Sequence, residues 1–213
     1  TPEKREELRE AVLAQHPFPK YIEGKQYSYF NLKVVFDPKR TGFESSKTFH
    51  APPGSLIAGR YEVDEVLGTA AFSTALQCVD LSIEDETNED AWVCLKVIKE
   101  GKDFFDQSLD EIKLLQYINL HGDSEKQCFL RLIDFFYHKE HLFIVSELLR
   151  DNLYEFGRTI VQSQQPPYFT IPRLKKIAHQ CIVNRFADEL FMTEPARCDA
   201  IQVGNLMRIT VAQ

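Results

Sequence analysis

Apolar and polar residues alternate over several short segments in the middle of the chain, a period of two that predicts β-strands. A helical period follows the third strand, over Asp106–Asn119, where Leu109, Ile112, Leu115 and either Tyr117 or Ile118 form one face. A second helix is predicted over Thr170–Ile182, since Pro172 suits a first turn. This order lacks the regular strand–helix alternation of a parallel sheet, so the predicted fold class is α+β. The predicted strands are Tyr61–Leu67, Ala75–Asp80, Ala91–Ile98, Phe129–His138 and Leu142–Glu147.

The first 55 residues follow another pattern. Thr1–Gln15 predicts an exposed helix, Asn31–Phe36 a short strand, and Ala51-Pro52-Pro53-Gly54 indicates a linker. Residues 1–60 carry ten Lys/Arg and seven Asp/Glu, whereas residues 61–182 carry twelve and twenty-one. A change of this kind commonly marks an extension attached to a domain. We therefore expect an N-terminal extension over residues 1–55 and a domain that begins at residue 56.

The overall composition excludes several classes of protein. The 213 residues carry a net charge of −7, and 44% are hydrophobic, which indicates a folded chain and disfavours a nucleic-acid binder. No apolar run approaches the ~20 residues that span a membrane, and no secretory leader is evident. The five cysteines are scattered, which suits a reducing intracellular compartment, cytoplasmic or nuclear. Neither cysteines nor histidines show the spacing of a zinc site, so no metal site is expected.

Three local features carry candidate chemistry. The turn Leu67–Ala75 between two predicted strands is built of small residues, which let backbone N–H groups approach a phosphate chain. Lys96 lies in the middle of an apolar strand and needs a partner or water for its ammonium group. Glu111 follows on the predicted helix, fifteen residues later. Taken singly, each has a plain explanation: a common hairpin turn, a lysine that reaches solvent at a sheet edge, and a surface glutamate.

Taken in order, these features resemble the N-terminal lobe of a eukaryotic protein kinase. Three segments are closest in sequence to the dual-specificity tyrosine-regulated (DYRK) group: Tyr61–Val79, Ser108–Leu115 and His141–Tyr154. Glu147–Tyr154 looks like that group's hinge and the start of its next helix. In the extension, Phe30–Leu32 and Arg40–Glu44 are similar to the stretch before the kinase domain in DYRK-like proteins. The resemblance implies an antiparallel sheet of about five strands plus helix C, with only the first helices of the C-terminal lobe.

The resemblance also implies ATP as cofactor and assigns roles by position. Lys96 would bind the α- and β-phosphates and Glu111 would pair with it. Ser146 stands at the gatekeeper position, and backbone groups of Glu147 and Leu149 would bond the adenine edge. The remaining cofactor-binding residues would belong to the glycine-rich loop, with Phe72 at its tip and Ala75 in place of the usual valine: Leu67, Gly68, Ala70, Phe72, Ser73 and Ala75.

The chain departs from the family pattern in two ways. Of the G-x-G-x-x-G glycines only Gly68 is present, since Ala70 and Ser73 replace the others. Neither the H-R-D-x-x-x-x-N catalytic loop nor D-F-G follows Ile182, so the catalytic aspartate and the Mg²⁺ ligands are missing. Two segments resemble these motifs, His121-Gly122-Asp123 the H-R-D and Asp134-Phe135-Phe136 the D-F-G. Both precede the hinge in the chain, and we take neither as catalytic.

The family pattern stops at about Ile182, which divides the chain into a kinase-like domain, 56–182, and a divergent tail, 183–213. Such an abrupt change indicates an alternative exon, a frameshift or intron read-through. We therefore expect the ATP-binding portion of a Ser/Thr or dual-specificity kinase, without catalytic activity in this form. Two alternatives remain: a non-catalytic, pseudokinase-like interaction module, or an incomplete gene product. Protein substrates or partners are expected only for a complete kinase.

Overall fold

The computed structural model describes residues 31–39, 48–85, 87–123, 126, 128–150, 152–164 and 166–191, together with positions 4, 6, 10, 21, 22, 25 and 26. The chain divides into two compact units, Thr1–Lys33 and Val34–Gln213. In the first unit β1 (Tyr21–Ile22) pairs with β2 (Lys25–Gln26) in an antiparallel hairpin. Most of the helix predicted over residues 1–15 lies outside the described residues, although positions 4, 6 and 10 are helical.

The second unit is built on a curled seven-stranded sheet with three helices. The strands follow one another in space as β3-β8-β9-β7-β6-β5-β4, and the pairs from β4 to β9 that join neighbours are antiparallel. The strands are β3 (Lys33–Val35), β4 (Leu56–Ile57), β5 (Tyr61–Thr69), β6 (Ser73–Asp80), β7 (Trp92–Ile98), β8 (Leu132–His138) and β9 (His141–Glu147). The helices are α1 (Lys102–His121), α2 (Leu153–Gln162) and α3 (Ile171–Phe191).

The α+β class and the five central strands are confirmed, with corrections to the ends of several elements. The predicted fourth strand begins at Leu132 instead of Phe129, and α1 begins at Lys102 instead of Asp106. The early start of α1 is set by Gly101, whose φ of 153° is open to glycine and whose missing Cβ leaves room for Phe104. The sheet also has two short edge strands, β3 and β4, beyond the five that the resemblance implies. The helix α3 continues through Ile182 to Phe191.

The alternation that predicted β7 is the alternation of its burial. Val93, Leu95 and Val97 are buried on one face, while Cys94 and Lys96 point to the other. On α1 the buried positions are Ser108, Ile112, Leu115 and Ile118. Tyr117 is exposed, so Ile118 and not Tyr117 completes the apolar face of the helix. One face of the sheet therefore holds the apolar core, and the other is left for a site between the strands and α1.

Aromatic rings cross the core face as a continuous column. Tyr61 stacks on Phe136 and Phe136 stacks on Phe143, with ring centroids 5.8 and 5.0 Å apart. Phe49 meets Phe143 edge to face at 5.1 Å. Phe49 and Ala51, which precede the expected domain start at residue 56, thus pack against the core of the sheet. The segment that reads as a linker in the sequence covers part of this face.

An ion pair joins Arg60, the residue before β5, to the buried Asp80 at the end of β6. Asp80 is 1% exposed and accepts bidentate hydrogen bonds from Arg60 at 2.8 and 2.6 Å. The backbone N–H and the hydroxyl of Ser82 donate to the same carboxylate at 3.0 and 2.7 Å. Burial alone raises the pKa of Asp80, but the bonds from Arg60 and Ser82 outweigh it and hold that pKa below its ordinary value.

Stability is therefore expected to fall in acid through Asp80. Because its folded-state pKa is depressed, its contribution is present above the ordinary carboxyl pKa and is lost as the pH falls through the folded value. Urea unfolding of the wild type and of Asp80→Asn at pH 6 and pH 3 measures this. We expect the variant to be less stable at pH 6 and to lose less stability than the wild type on acidification. Equal losses in the two proteins would contradict the assignment.

Candidate functional site

The two charged residues singled out in the sequence meet across the sheet and the helix. Lys96 on β7 donates from Nζ to both carboxylate oxygens of Glu111 on α1, at 2.8 and 2.7 Å. The side chains are 20% and 14% exposed, so the pair is largely withdrawn from water but not sealed off. Glu111 lies one turn before the buried Leu115, on the side of α1 that faces the sheet. The ammonium group is thereby fixed at the edge of a cavity, where an anionic group can reach it.

The small-residue turn closes one end of this cavity. The strands β5 and β6 remain paired up to Thr69 and Thr74, and the N–H of Ala70 donates to the carbonyl oxygen of Ser73 at 2.8 Å. The turn is also tied to Lys99 just after β7, which donates its backbone N–H to the oxygen of Phe72 at 2.9 Å. The loop therefore lies close over the Lys96 side of the cavity.

Phe72 at the loop tip lies over Lys96. Its ring centroid is 5.3 Å from the Lys96 Nζ and 6.5 Å from the ring of Phe104 at the start of α1. An ammonium over an aromatic face is attracted by the ring quadrupole. The aromatic ring and a bound phosphate would compete for the same cation, so we expect Phe72 to leave Lys96 when an anion binds.

The strand β9 closes the opposite end and leads into the expected hinge. Ser146 is 8% exposed, and its hydroxyl donates to the carbonyl oxygen of Glu147 at 3.2 Å. The Glu147 carboxylate accepts the backbone N–H of Arg131 at 2.8 Å, while the Glu147 N–H donates to the Arg131 oxygen at 3.1 Å. The side chain thus supplies an acceptor at the end of the β8–β9 ladder, just before β8 begins at Leu132. It fixes the backbone just before Leu148 and Leu149.

These features enclose one cavity of about 380 Å³. Ten of the eleven residues predicted from the sequence line it, all but Gly68, which follows Leu67 on β5. Five further residues line the cavity that were not predicted as site residues. Of these, Leu115 belongs to the predicted apolar face of the helix, Cys94 shares the strand face of Lys96, and Ile144 is the cross-strand partner of Lys96. The predicted lining residues are Leu67, Ala70, Phe72, Ser73, Ala75, Lys96, Glu111, Ser146, Glu147 and Leu149; the others are Cys94, Leu115, Leu130, Ile144 and Leu148.

Asn119 is a positioning residue that the sequence reading missed. Its amide nitrogen donates to the carbonyl oxygens of Leu115 and Leu130 at 2.8 and 3.1 Å, and its amide oxygen accepts the N–H of Leu132 at 3.1 Å. Asn119 therefore ties α1, which carries Glu111, to the same short segment that Glu147 holds from the hinge side. A polar residue late in an amphipathic helix gives no local sign of such a contact.

Glu147→Leu is expected to lower the free energy of unfolding by about 1–3 kcal/mol, because it leaves the Arg131 N–H without its carboxylate acceptor. Glu147→Gln keeps an acceptor oxygen at the same place and is expected to lose much less. Chemical denaturation of the three proteins measures the difference. If the leucine and glutamine variants are equally stable, the bond to Arg131 is not what Glu147 contributes.

Gly68→Ala is expected to leave the free energy of unfolding almost unchanged. A Cβ at Gly68 would meet no heavy atom within 4 Å, and its backbone is not in the left-handed region that favours glycine. Glycine there is needed only if a ligand approaches the backbone closely. A thermal melt compares the stability of the two proteins, and a titration with ADP measures whether the added methyl group weakens ligand binding. A large loss of stability without ligand would show that packing requires the glycine.

The chain is similar in sequence to protein kinases of two yeasts. The DYRK-family kinase pom1 of Schizosaccharomyces pombe is 36% identical over 196 residues, which cover 85% of this chain and 17% of that protein. The dual specificity protein kinase YAK1 of Saccharomyces cerevisiae is 36% identical over 97 residues, covering 45% of this chain and 11% of YAK1. The chain is a homologue of the DYRK-family kinases. It spans less than a fifth of the length of these relatives. No family model matches the chain.

The fold of this DYRK homologue is also that of a solved kinase domain. A crystal structure of a kinase domain superposes with a TM-score of 0.56 at 18% identity and covers 68% of this chain and 39% of that one. At this identity the likeness speaks for the fold alone. The recognition of a DYRK-like kinase from the order of its motifs is thereby confirmed, together with the kinase-like lobe.

The two motif look-alikes lie on ordinary secondary structure. His121 ends α1, with Nδ1 bonded to the carbonyl oxygen of Tyr117 at 2.9 Å, and Asp134 and Phe135 belong to β8. Neither lines the cavity. Within the part of the chain that the structure describes, no group of three or more His, Cys, Asp or Glu could hold a metal ion. Among the same residues, no helix is both long and apolar enough to cross a membrane.

Proposed function

We propose that this chain is an ATP-binding lobe of a DYRK-like Ser/Thr or dual-specificity kinase. The observation that carries the proposal is the Lys96–Glu111 ion pair at the edge of a 380 Å³ cavity, between a small-residue loop and a hinge. Adenine-nucleotide sites need an apolar slot for the base and a fixed cation for the phosphates, and this cavity offers both. Kinase relatives support ATP as the ligand.

In this proposal the two ends of the cavity have different tasks. Lys96 would bind the α- and β-phosphates, with the backbone of Ala70–Ser73 above them, and Glu111 would hold the ammonium in place. Backbone groups of Glu147 and Leu149 would hydrogen-bond the adenine edge, and Ala75 would contact its face. Ser146, which is small, would leave the back of the slot open as far as Leu115.

Thermal melts in the presence of adenosine and of ADP test the binding. A ligand that binds only the folded state stabilises it by about 2.7 kcal/mol at one hundred times its Kd. We expect both ligands to raise the midpoint in proportion to the logarithm of their concentration, and ADP to raise it more. Isothermal titration should give one site per chain. A midpoint that does not move at millimolar concentrations of either ligand would exclude the nucleotide site.

We further propose that this polypeptide does not transfer phosphate. No H-R-D or D-F-G sequence occurs among its 213 residues, so the catalytic base and the groups that bind Mg²⁺ are not supplied. The division into an extension, 1–55, a kinase-like domain, 56–182, and a tail, 183–213, belongs to the same proposal. Radiolabelled ATP with casein or myelin basic protein tests it. Incorporation that disappears in Lys96→Met would contradict it.

A second candidate function is that of a non-catalytic interaction module in the reducing interior of the cell. The four described cysteines are free thiols. Large apolar side chains are exposed on the two helices after the hinge: Tyr154 by 74%, Val161 by 78% and Ile171 by 68%. Exposed apolar surface of this kind marks a contact with another chain or segment. Light scattering measures the molar mass in solution and distinguishes the two candidates. An interaction module is expected to associate whether or not a nucleotide is bound.

A further inference from the structure

A second cavity lies on the opposite face of the strands that carry the nucleotide site. We call it the rear cavity; its volume is about 1020 Å³, and its walls include Phe49, Pro53, Leu76, Val97, Ile98 and His141. Thr74 and Val97, a cross-strand pair, face it, whereas the next pair, Ala75 and Lys96, faces the nucleotide cavity. Because successive side chains of a strand point to opposite faces, only the sheet separates the two cavities.

The walls of the rear cavity have the character of a ligand site. Leu76, Val97 and Ile98 are each at most 3% exposed, and they form a floor of aliphatic side chains. Phe49 lies at the side with its ring edge to face against His141, at 5.4 Å. Small-molecule sites are clefts of roughly 300–1,000 Å³ with mostly apolar walls and a few polar groups that fix orientation. The volume of the rear cavity lies at the upper end of this range, and its apolar floor is combined with polar residues: Thr48, His50, Thr69, Thr74, Lys99, Glu100 and His141.

Among these polar residues only His141 is buried. The residue is only 4% exposed, and its Nδ1 lies 2.9 Å from the carbonyl oxygen of Ile98. A carbonyl only accepts, so Nδ1 carries the hydrogen, and in the neutral ring the other nitrogen, Nε2, is an acceptor. The bond to Ile98 is the one hydrogen bond of His141 within the described part of the chain. Nε2 is not among the buried polar atoms that lack a partner, so solvent in the cavity reaches it, and a donor on a ligand would take the place of that water.

The rear cavity is also connected to the loop over the nucleotide site. Thr69 and Thr74 line it and form the last strand pair before the turn Ala70–Ser73. Lys99 lines it as well, and its Nζ donates to the oxygen of Ala70 at 2.5 Å while its N–H donates to Phe72. A molecule that contacts these side chains would alter the bonds that hold the turn in place.

We propose that the rear cavity binds a small planar aromatic molecule that carries an N–H or O–H donor, and that its binding shifts the turn Ala70–Ser73. The donor bonds His141 Nε2, and the ring packs on Leu76 and Val97 with its edge toward Phe49. A flat ring fits because the walls on both sides are themselves rings or branched aliphatic side chains. This site is separate from the nucleotide site and does not depend on it.

Two isomeric probes test the hydrogen bond on the wild-type protein. 3-Methylindole keeps its N–H, whereas 1-methylindole has the same size and no donor. We expect 3-methylindole to bind about five- to tenfold more tightly in titrations followed by NMR, the difference of one hydrogen bond. Equal affinities, or no binding of either at millimolar concentration, would overturn the proposal. N-acetyltryptophanamide carries the same ring on a peptide backbone; binding tighter than that of 3-methylindole would assign the cavity to a protein partner and overturn the small-molecule assignment.

A matched pair of variants tests the location. Val66 lines the rear cavity and is 50% exposed, and Leu81 has a similar exposure of 46% but lies outside the lining. Val66→Phe fills part of the cavity at a position that tolerates a larger side chain. We expect Val66→Phe to weaken the binding of 3-methylindole at least fivefold and Leu81→Phe to leave that affinity unchanged. Equal effects of the two variants would place the ligand elsewhere.

The link to the turn has a readout of its own. Saturating 3-methylindole is expected to shift the amide resonances of Ala70–Ser73, while those of the exposed end of α1 stay in place. Coupling between two binding sites is reciprocal. If 3-methylindole changes the affinity for ADP by some factor, ADP must change the affinity for 3-methylindole by the same factor. Unchanged resonances in the turn at saturation would exclude the link, even where the cavity is occupied.

Discussion

Phe143→Ala is expected to lower the free energy of unfolding by about 3–5 kcal/mol. The ring is 0% exposed and lies between Phe136, stacked at 5.0 Å, and Phe49, edge-on at 5.1 Å. Its removal leaves a cavity in the middle of the aromatic column, and the paired strands on either side restrict any collapse. Domains of ordinary stability have only about 5–15 kcal/mol in total, so the variant should be partly unfolded at 37 °C.

Denaturant titrations followed by the fluorescence of Trp92 and by circular dichroism measure this loss. Phe36→Ala is the matched control, since Phe36 is 72% exposed and the same deletion there is expected to change stability by less than about 0.5 kcal/mol. A loss below about 1 kcal/mol for Phe143→Ala would show that the column does not hold the lobe together. A large loss for both variants would show that the method responds to aromatic content instead of to packing.

Local sequence patterns predicted the parts of the fold that depend on local physics. The period of two on β7 is the alternation between the core face, with Val93 and Leu95, and the site face, with Cys94 and Lys96. That expectation depends on the residue types and their immediate neighbours. The pairing of Lys96 with Glu111 was implied by the resemblance to protein kinases, because the local pattern was equally consistent with a lysine that reaches solvent and a surface glutamate.

Contacts between distant segments could not be read from those patterns. Phe49 precedes the strands by a proline-rich stretch that signals a linker, yet it packs on Phe143, almost one hundred positions later in the chain. Glu147 was expected to matter through its backbone, and nothing in its sequence neighbourhood indicates that its carboxylate bonds Arg131. Asn119 reads as a polar residue near a helix end, although it joins α1 to the start of β8. Such bonds depend on the relative placement of whole elements.

The proposed nucleotide site and the core share strands, so the stability of the sheet and the binding of nucleotide are expected to be linked. Lys96 stands between Leu95 and Val97, both buried in the core, so a change in sheet packing moves the ammonium group as well. Phe143 is the cross-strand partner of Val97, while Ile144, next to it, is the partner of Lys96 and lines the cavity. We therefore expect core variants such as Phe143→Ala to weaken the binding of nucleotides although the replaced side chain does not contact them. The nucleotide affinities of site variants must therefore be compared between proteins of equal stability.

Lys96→Met is expected to weaken the binding of ADP by about ten- to a hundredfold and to change the affinity for adenosine by less than about twofold. A hydrogen bond to a charged group contributes about 1.5–3 kcal/mol, and only the phosphates can make it with the Lys96 ammonium. Adenosine lacks phosphate and depends on the hinge and the apolar walls alone. Titration of both ligands into the variant and the wild type gives the two ratios.

Lys113→Met is the matched control for this experiment. Lys113 lies on α1 two residues after Glu111, is 52% exposed and pairs with Asp110, so its loss removes one positive charge without touching the cavity. We expect its affinities for ADP and adenosine to equal those of the wild type. If Lys96→Met weakens both ligands equally, the lysine acts by supporting the fold. If it weakens neither, the phosphates do not meet Lys96, and the ion pair with Glu111 is structural.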